Sequence, residues 1–241
     1  METSLPVALS GQIAMEKRLE TLAHNLANVR TVGFRAEEVR FEELLSRTAP
    51  DPVAFVTEGE TYLSNKSGAL TQTGNPLDLA VRGEAFFAYQ GQNGLIYTRD
   101  GRMEVTPEGT LQTLTGRPLV DSGGAPLQID PAGGPIVVSA GGMIHQNGQQ
   151  VGAIGLFRIP QGANLSRADT SGVRSDRPGV PVVEFTSDSV VQGYVEEANV
   201  NPIMEMTRLI TLQRAFESAA KVVDTNDQSL SEAIRTLGAS S

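Results

Sequence analysis

Few side chains in this 241-residue chain are equipped for chemistry. There is no Cys, which excludes thiol nucleophiles, disulfides and Cys-ligated zinc or iron–sulfur centres. His24 and His145 are the two histidines, too few for a multi-histidine metal site. His24 falls beside an apolar seam and His145 beside an Asn-Gly turn, so both read as structural or solvated. Asp78, Glu84 and Asp100 are carboxylates of the kind that work in pairs on glycosidic bonds. Their surroundings read instead as turns and strand edges. Asp224-Thr225-Asn226-Asp227 starts like a calcium loop but lacks the later Gly and the closing Glu. The G-x-S-x-G elbow and the phosphate-binding glycine loops are missing. Asn65-Lys66-Ser67 and Asn164-Leu165-Ser166 fit a glycosylation sequon, a pattern of low specificity. The sequence therefore predicts no enzyme, no cofactor and no metal.

Charge and hydropathy narrow the partners. The net charge is −9, and the acidic excess is spread evenly along the chain. A surface of that sign argues against nucleic acid. No apolar run approaches the roughly 18 residues of a membrane span. Met1-Glu2-Thr3 lacks a basic leader, and Glu16 and Lys17 interrupt the apolar stretch behind it, so a cleavable signal is not expected.

Three regions differ in hydrophobic period. From about Ser4 to Val32 the chain reads as a helix, with Leu5, Ala8, Gln12, Met15, Leu19, Leu22, Leu26 and Val29 spaced by threes and fours as a heptad seam. Gly33 suits the left-handed position just past its end, from which Phe34 can fold back on Val29. Arg35–Leu45 can extend the helix, and Pro50-Asp51-Pro52 breaks it. A second, longer helix is predicted from Pro202 to Leu237. Asn201 is its cap, Pro202 its first residue, Glu205 lies in its first turn, and Gly238 stops it. Its seam runs through Met206, Leu209, Gln213, Phe216, Ala220, Val223, Asp227, Leu230, Ile234 and Leu237.

Between the helices, short β-prone runs alternate with turns: Leu77–Val81, Ala85–Tyr89, Leu95–Thr98, Met103–Thr106, Val151–Ile159, Val182–Thr186 and Val190–Val195. Asp100-Gly101 and Asn147-Gly148 are two-residue hairpin signals. Regular spacing of this kind predicts an antiparallel sandwich or barrel. The fold class is thus α+β: an antiparallel β domain in the middle of the chain, flanked by long N- and C-terminal coiled-coil-like helices. The expected divisions are residues 1–34 (helix), 35–75 (extended connector), 76–192 (β domain) and 193–241 (helix). Apolar residues off the seam, Leu9 and Ile13 in the first helix and Ile203 and Ile210 in the second, widen each stripe. Two readings follow: the ends pack on each other within one chain, or they assemble with other chains.

Four blocks, in order along nearly the whole chain, carry a resemblance. Leu22-Ala23-His24-Asn25-Leu26-Ala27-Asn28-Val29-Arg30-Thr31-Val32-Gly33-Phe34-Arg35 resembles the A-N-N-L-A-N-x-x-T-x-G-F-K/R signature of flagellar rod and hook proteins, departing from it at His24, where Asn is usual. Gly68-Ala69-Leu70-Thr71-Gln72-Thr73-Gly74-Asn75-Pro76-Leu77-Asp78-Leu79-Ala80-Val81 resembles the stretch leading into their β domain. Tyr97-Thr98-Arg99-Asp100-Gly101, with Gly109-Thr110-Leu111-Gln112-Thr113 and Gly116-Arg117-Pro118, is similar to its first β segment. Gly193-Tyr194-Val195-Glu196, Asn199-Val200-Asn201-Pro202 and Glu205-Met206-Thr207-Arg208 through Gln213–Glu217 match the C-terminal signature.

The resemblance implies a structural subunit of the flagellar basal-body rod, which crosses the periplasm. Its terminal helices would pack together around the export channel, with the β domain outside. The implied partners are other rod subunits, copies of itself, and the flagellar type III export apparatus. A chain exported unfolded suits the absence of Cys and of a leader. The residues expected to carry assembly are Leu5, Met15, Leu19, Leu22, Asn25, Leu26, Asn28 and Val29 in the first helix, and Met206, Leu209, Phe216, Val223, Leu230 and Ile234 in the last. Phe41-Glu42-Glu43-Leu44-Leu45 has the spacing of an export-gate motif, and equally that of ordinary helix packing. The competing class is a β-rich binding module or hydrolase whose helices close on themselves.

Overall fold

The computed structural model describes residues 4–46, 53–57, 59–92 and 94–238; the side chains of 4–6, 43–46, 53–56 and most positions beyond 223 lie outside the description. The chain forms two compact units, one of residues 1–27, 37–62 and 201–241, the other of residues 28–36 and 63–200.

The first unit holds both helices. Helix α1 spans Ser4–Ala27 and α2 spans Pro202–Gly238. The sequence signals for α2 hold: the Asn201 side-chain oxygen accepts from the N–H groups of Ile203 (3.1 Å) and Met204 (3.2 Å), capping donors that have no partner inside the helix. Strands β1 (Glu37–Arg40), β2 (Glu43–Ser46), β3 (Val53–Val56) and β4 (Glu60–Leu63) follow α1. They form the two-stranded sheets β1-β4 and β2-β3. Arg35–Leu45 therefore does not extend the helix. The alternation of half-buried and exposed residues in Glu37-Glu38-Val39-Arg40 is the period of two of a strand. The export-gate-like stretch likewise ends in a strand, β2.

The expected coiled-coil-like helices are not found. A coiled coil buries its seam, knob into hole. Here Met206 is 50% exposed, and Leu209, Phe216 and Val223 are only half-buried. On α1 the buried row is Ala14, Thr21, Leu22 and Asn25, of which only Leu22 belongs to the seam. The reason is competition for α1, which packs against β1 and β3 as well as α2. Its buried stripe turns off the heptad line to face several neighbours.

Helix α1 also stops five residues short of Val32. Residues 28–32 are turns, in which Thr31 N–H donates to the Asn28 carbonyl (3.0 Å) and the Thr31 hydroxyl lies 3.2 Å from the Asn28 side-chain oxygen. Gly33 does take the left-handed conformation, at φ +70°.

The second unit is built of β5 (Leu70–Gln72), β6 (Leu79–Arg82), β7 (Phe86–Gly91), β8 (Gly94–Thr98), β9 (Met103–Val105), β10 (Leu111–Thr113), β11 (Ile136–Val138) and β12 (Met143–Gln146). These continue into β13 (Gln149–Ala153), β14 (Leu156–Arg158), β15 (Leu165–Arg167), β16 (Gly172–Ser175), β17 (Val180–Pro181), β18 (Ser189–Gln192) and β19 (Tyr194–Glu196). The largest sheet has the order β15-β16-β8-β7-β14-β17; β11-β12-β13 form a second, and β9-β10, β6-β18 and β5-β19 pair separately. The pairing is antiparallel, as expected, but distributed over several small sheets rather than one sandwich. Strand β7 shows how they share a core. Phe86 and Ala88 point into one apolar cluster with Tyr97, Val120 and Phe157, while Phe87 points into the other with Leu79, Leu119 and Leu156.

Asn147-Gly148 makes the β12–β13 turn, both residues at positive φ (50° and 77°). Asp100-Gly101 is not a hairpin: β8 pairs with β7 and β16, and β9 with β10. The chain there runs beside residues 77–79, with Leu79 N–H donating to the Gly101 carbonyl (2.9 Å) and Met103 N–H to the Leu77 carbonyl (3.0 Å). A Cβ on Gly101 would lie 1.6 Å from the Leu79 oxygen, so the glycine serves close backbone approach. The strand expected at Val182–Thr186 is displaced: β17 makes the pairing with β14, and only Val182 continues it, donating to the Leu156 carbonyl (2.8 Å).

Candidate functional site: helical faces and a buried ion triad

The predicted assembly residues fall into three groups. Leu22 and Asn25 are interior to the first unit. The Asn25 amide donates to the Glu37 carbonyl (2.8 Å) and its oxygen accepts from Glu37 N–H (2.8 Å), so one side chain supplies both bonds of a strand partner and fixes the start of β1. His24 stands beside it, Nδ1 3.4 Å from the Glu37 carboxylate. Met15, Leu19, Leu26, Leu209, Phe216 and Val223 are half-buried, and Met206 is exposed. Asn28 and Val29, also half-buried, belong to the second unit. The side chains of Leu5, Leu230 and Ile234 lie outside the described residues.

Beyond these lies an apolar surface that the seams do not contain. Leu9 and Ile13 on α1, and Ile203, Met204, Ile210 and Val222 on α2, are all exposed, Ile203 and Val222 by 74% and 69%. Ile203, Met206 and Ile210 stand three and four residues apart, on one face of α2. Exposed apolar side chains grouped along a face, rather than scattered singly, mark an interaction surface.

The second unit contains an ion triad that sequence reasoning did not connect. Glu196, at the end of β19, holds Arg99 (Oε2 to Nη1, 2.8 Å) and Arg35 (Oε1 to Nη2, 3.3 Å). All three side chains are no more than 2% exposed. Gly68 N–H donates to Oε1 at 3.0 Å. Arg99 also donates to the carbonyls of Val81 (3.3 Å) and Gly83 (2.7 Å), and Arg35 to that of Lys66. Both guanidinium groups lie over the Phe86 ring, at 5.4 Å (Arg35) and 4.7 Å (Arg99) from its centre.

Two cations on one anion leave a buried excess of positive charge. Burial, reinforced by repulsion from Arg99 and opposed by Glu196, pushes Arg35 down to about 10. Burial lowers Arg99 too, against the pull of Glu196. Nε of each arginine has no hydrogen-bond partner among the described residues. Removing the carboxylate would strand both cations, a loss of about 3–5 kcal/mol. The three residues come from three separate motif blocks: the Gly-Phe-Arg end of the first, the Tyr-Thr-Arg of the third and the Val-Glu of the fourth. Three charged residues inside β-prone or turn segments were the available signal, and only the tertiary structure shows that they meet.

Among the described residues no group of three or more His, Asp or Glu is placed to hold a metal, and no helix is long and apolar enough to cross a membrane.

Two terminal helices with exposed apolar residues in one unit, and antiparallel strands in the other, fit a structural subunit. The family comparisons agree. Residues 5–35 match the model for the flagella basal body rod protein, 80–152 that for the flagellar hook protein FlgE/F/G D1 domain, and 191–236 that for the flagellar basal body rod FlgEFG protein C-terminal region. The chain belongs to the flagellar basal-body rod proteins.

Within that family it is of the FlgF type. It is 47% identical to the flagellar basal-body rod protein FlgF of Mesorhizobium japonicum over 241 residues, covering 100% of both chains. FlgF of Caulobacter vibrioides is 37% identical, with 99% of each chain covered. FlgG of Bacillus subtilis is 30% identical, with 97% and 98% covered, so a FlgG-type assignment is less favoured. The chain is a structural subunit of the rod in the flagellar basal body.

Proposed function

We propose that the exposed apolar faces of α1 and α2 are the surfaces by which this subunit assembles with copies of itself and with other rod proteins. The observation that carries this is the exposure of Ile203, Met206 and Ile210 along one face of α2, with Leu9 and Ile13 exposed on α1. Each large aliphatic side chain gains about 1.5–3 kcal/mol when fully buried, and among the described residues no strand or helix covers these. The half-buried seam residues Met15, Leu19, Leu209, Phe216 and Val223 flank the same faces and would complete their burial. In the assembled rod the helical ends form the wall around the export channel, residues 76–192 lie outside it, and the shaft transmits torque across the periplasm. The subunit reaches the rod through the flagellar type III export apparatus, a route that a chain without stray thiols suits. Its role is architectural, without catalytic turnover.

Ile203→Asp and Ile210→Asp test this. Each puts a charge on the proposed contact face without touching either buried cluster of the β unit. Both should abolish swimming and leave basal bodies without complete rods in negative-stain micrographs, while the purified variants keep the wild-type thermal transition of the β unit. Normal swimming by both would overturn the assignment.

A further inference from the structure

We propose that residues 33–36 are the closing piece of the β unit, an interlock that secures it by clasping residues 196–199. Strand pairings within 63–200, both hairpins and long-range ones such as β5-β19 and β6-β18, supply the sheets, but they do not supply this clasp. Gly33 N–H donates to the Glu196 carbonyl (2.7 Å), and Asn199 N–H donates to the Phe34 carbonyl (3.3 Å). Ala36 N–H donates to the Asn199 side-chain oxygen (2.6 Å), whose amide donates in turn to the Lys66 carbonyl (2.7 Å). The Ala36 carbonyl accepts from Ser64 N–H (2.8 Å). Arg167 completes the ring: its Nη2 donates to the Arg35 carbonyl (2.7 Å), and its guanidinium covers the Phe34 ring at 4.3 Å. Four consecutive residues are thus tied to segments 28 to 165 positions away.

The fit is close. Phe34 and Arg35 are 1% and 2% exposed, and both are among the largest fully buried side chains of the molecule. A Cβ on Gly33 would lie 2.2 Å from Asp100 N, so only glycine passes there. Without this segment Glu196 keeps one cation instead of two, and Phe86 loses one of its two guanidinium neighbours. Two large buried side chains would leave a hole in the unit. The β unit therefore reaches its full stability only when the segment directly after α1 has been inserted. A chain held extended from its N-terminus keeps that unit open, whatever hairpins have formed. The inference concerns the fold and stands independently of the assembly reading.

Hydrogen exchange of the full-length chain tests it. Arg35→Met should speed exchange on the order of tenfold or more at Ala88, Val120 and Val173, which lie in the same apolar cluster as Phe86 and far from residue 35 in sequence. Arg167→Met, which removes the cover of Phe34 and the bond to the Arg35 carbonyl together with a local bond to the Thr170 carbonyl, should give a smaller acceleration at the same amides. Acceleration confined to residues 28–36 and 196–199, with Ala88, Val120 and Val173 protected as in the wild type, would overturn the proposal. If Arg35→Met does not fold, Arg167→Met decides by the same two outcomes.

Discussion

Asp188 and Glu196 place two carboxylates in one β unit under different rules. Glu196 is shared by two arginines. Asp188 sits against one, Arg158, and its Oδ1 also accepts from the N–H groups of Glu84 (2.7 Å) and Ala85 (3.0 Å). Burial alone would raise the Asp188 pKa; the Ala85 N–H, Arg158 and the Glu84 N–H outweigh it and hold the carboxyl below its ordinary 3.8. A depressed carboxyl contributes stability that is present above the ordinary value and lost as the pH falls through the folded one. Asp188→Ala leaves two backbone donors without their acceptor, a cost of about 2–3 kcal/mol. The variant should melt at lower temperature at pH 7, and its melting temperature should fall less than that of the wild type between pH 5 and pH 3. Calorimetry across that range reads both effects; equal acid sensitivity of the two proteins would remove Asp188 from the account.

At the scale of elements, the glycines separate turns from close approaches. Gly148 has φ +77° and open space where a Cβ would stand, so Gly148→Ala meets only the strain of a left-handed residue, about 1 kcal/mol. Gly101 has no such backbone requirement, but Gly101→Ala drives a methyl into the Leu79 carbonyl and the Phe87 ring, at 1.6 and 2.9 Å. It should cost about 3 kcal/mol or more and separate residues 99–103 from 77–79. Denaturant melts of the two variants check the ranking; a milder Gly101→Ala than Gly148→Ala would contradict the described path of residues 99–103. From sequence, Asp100-Gly101 and Asn147-Gly148 look alike. Only the second has both neighbouring strands free to pair with each other, because Arg99, before the first, is drawn to Glu196.

The division into two units makes a prediction for the molecule as a whole. Residues 28–36 belong with 63–200, although they follow directly on α1. Limited proteolysis of the isolated chain should accordingly yield a resistant species that retains residues 28–36, bound to 63–200 even where the intervening segment has been cut. Mass spectrometry of the resistant species under native and denaturing conditions distinguishes retention from loss. A stable β core from which residues 28–36 have been trimmed would show that the strand pairings within 63–200 suffice.

What the sequence determined by itself was local in origin or carried by whole motif blocks. The helix α2 with its Asn201 cap, the left-handed Gly33, the Asn147-Gly148 turn and the β-rich middle depend on neighbours a few residues apart. The family was legible from four ordered blocks. The C-terminal end of α1, the fate of Arg35–Leu45 and the burial of the seams were not, because each is decided by competition. A heptad pattern states which side chains are apolar, not which of several surfaces will cover them. Here β1 and β3 compete with α2 for α1, and the coiled-coil pairing gives way. The ion triad lay furthest from view. Arg35, Arg99 and Glu196 are separated by 64 and 97 positions, and a charged side chain at a strand end is ordinarily solvated. Only the closing of the β unit around Phe86 removes that solvent, and once it is gone each charge must find its partner inside the fold.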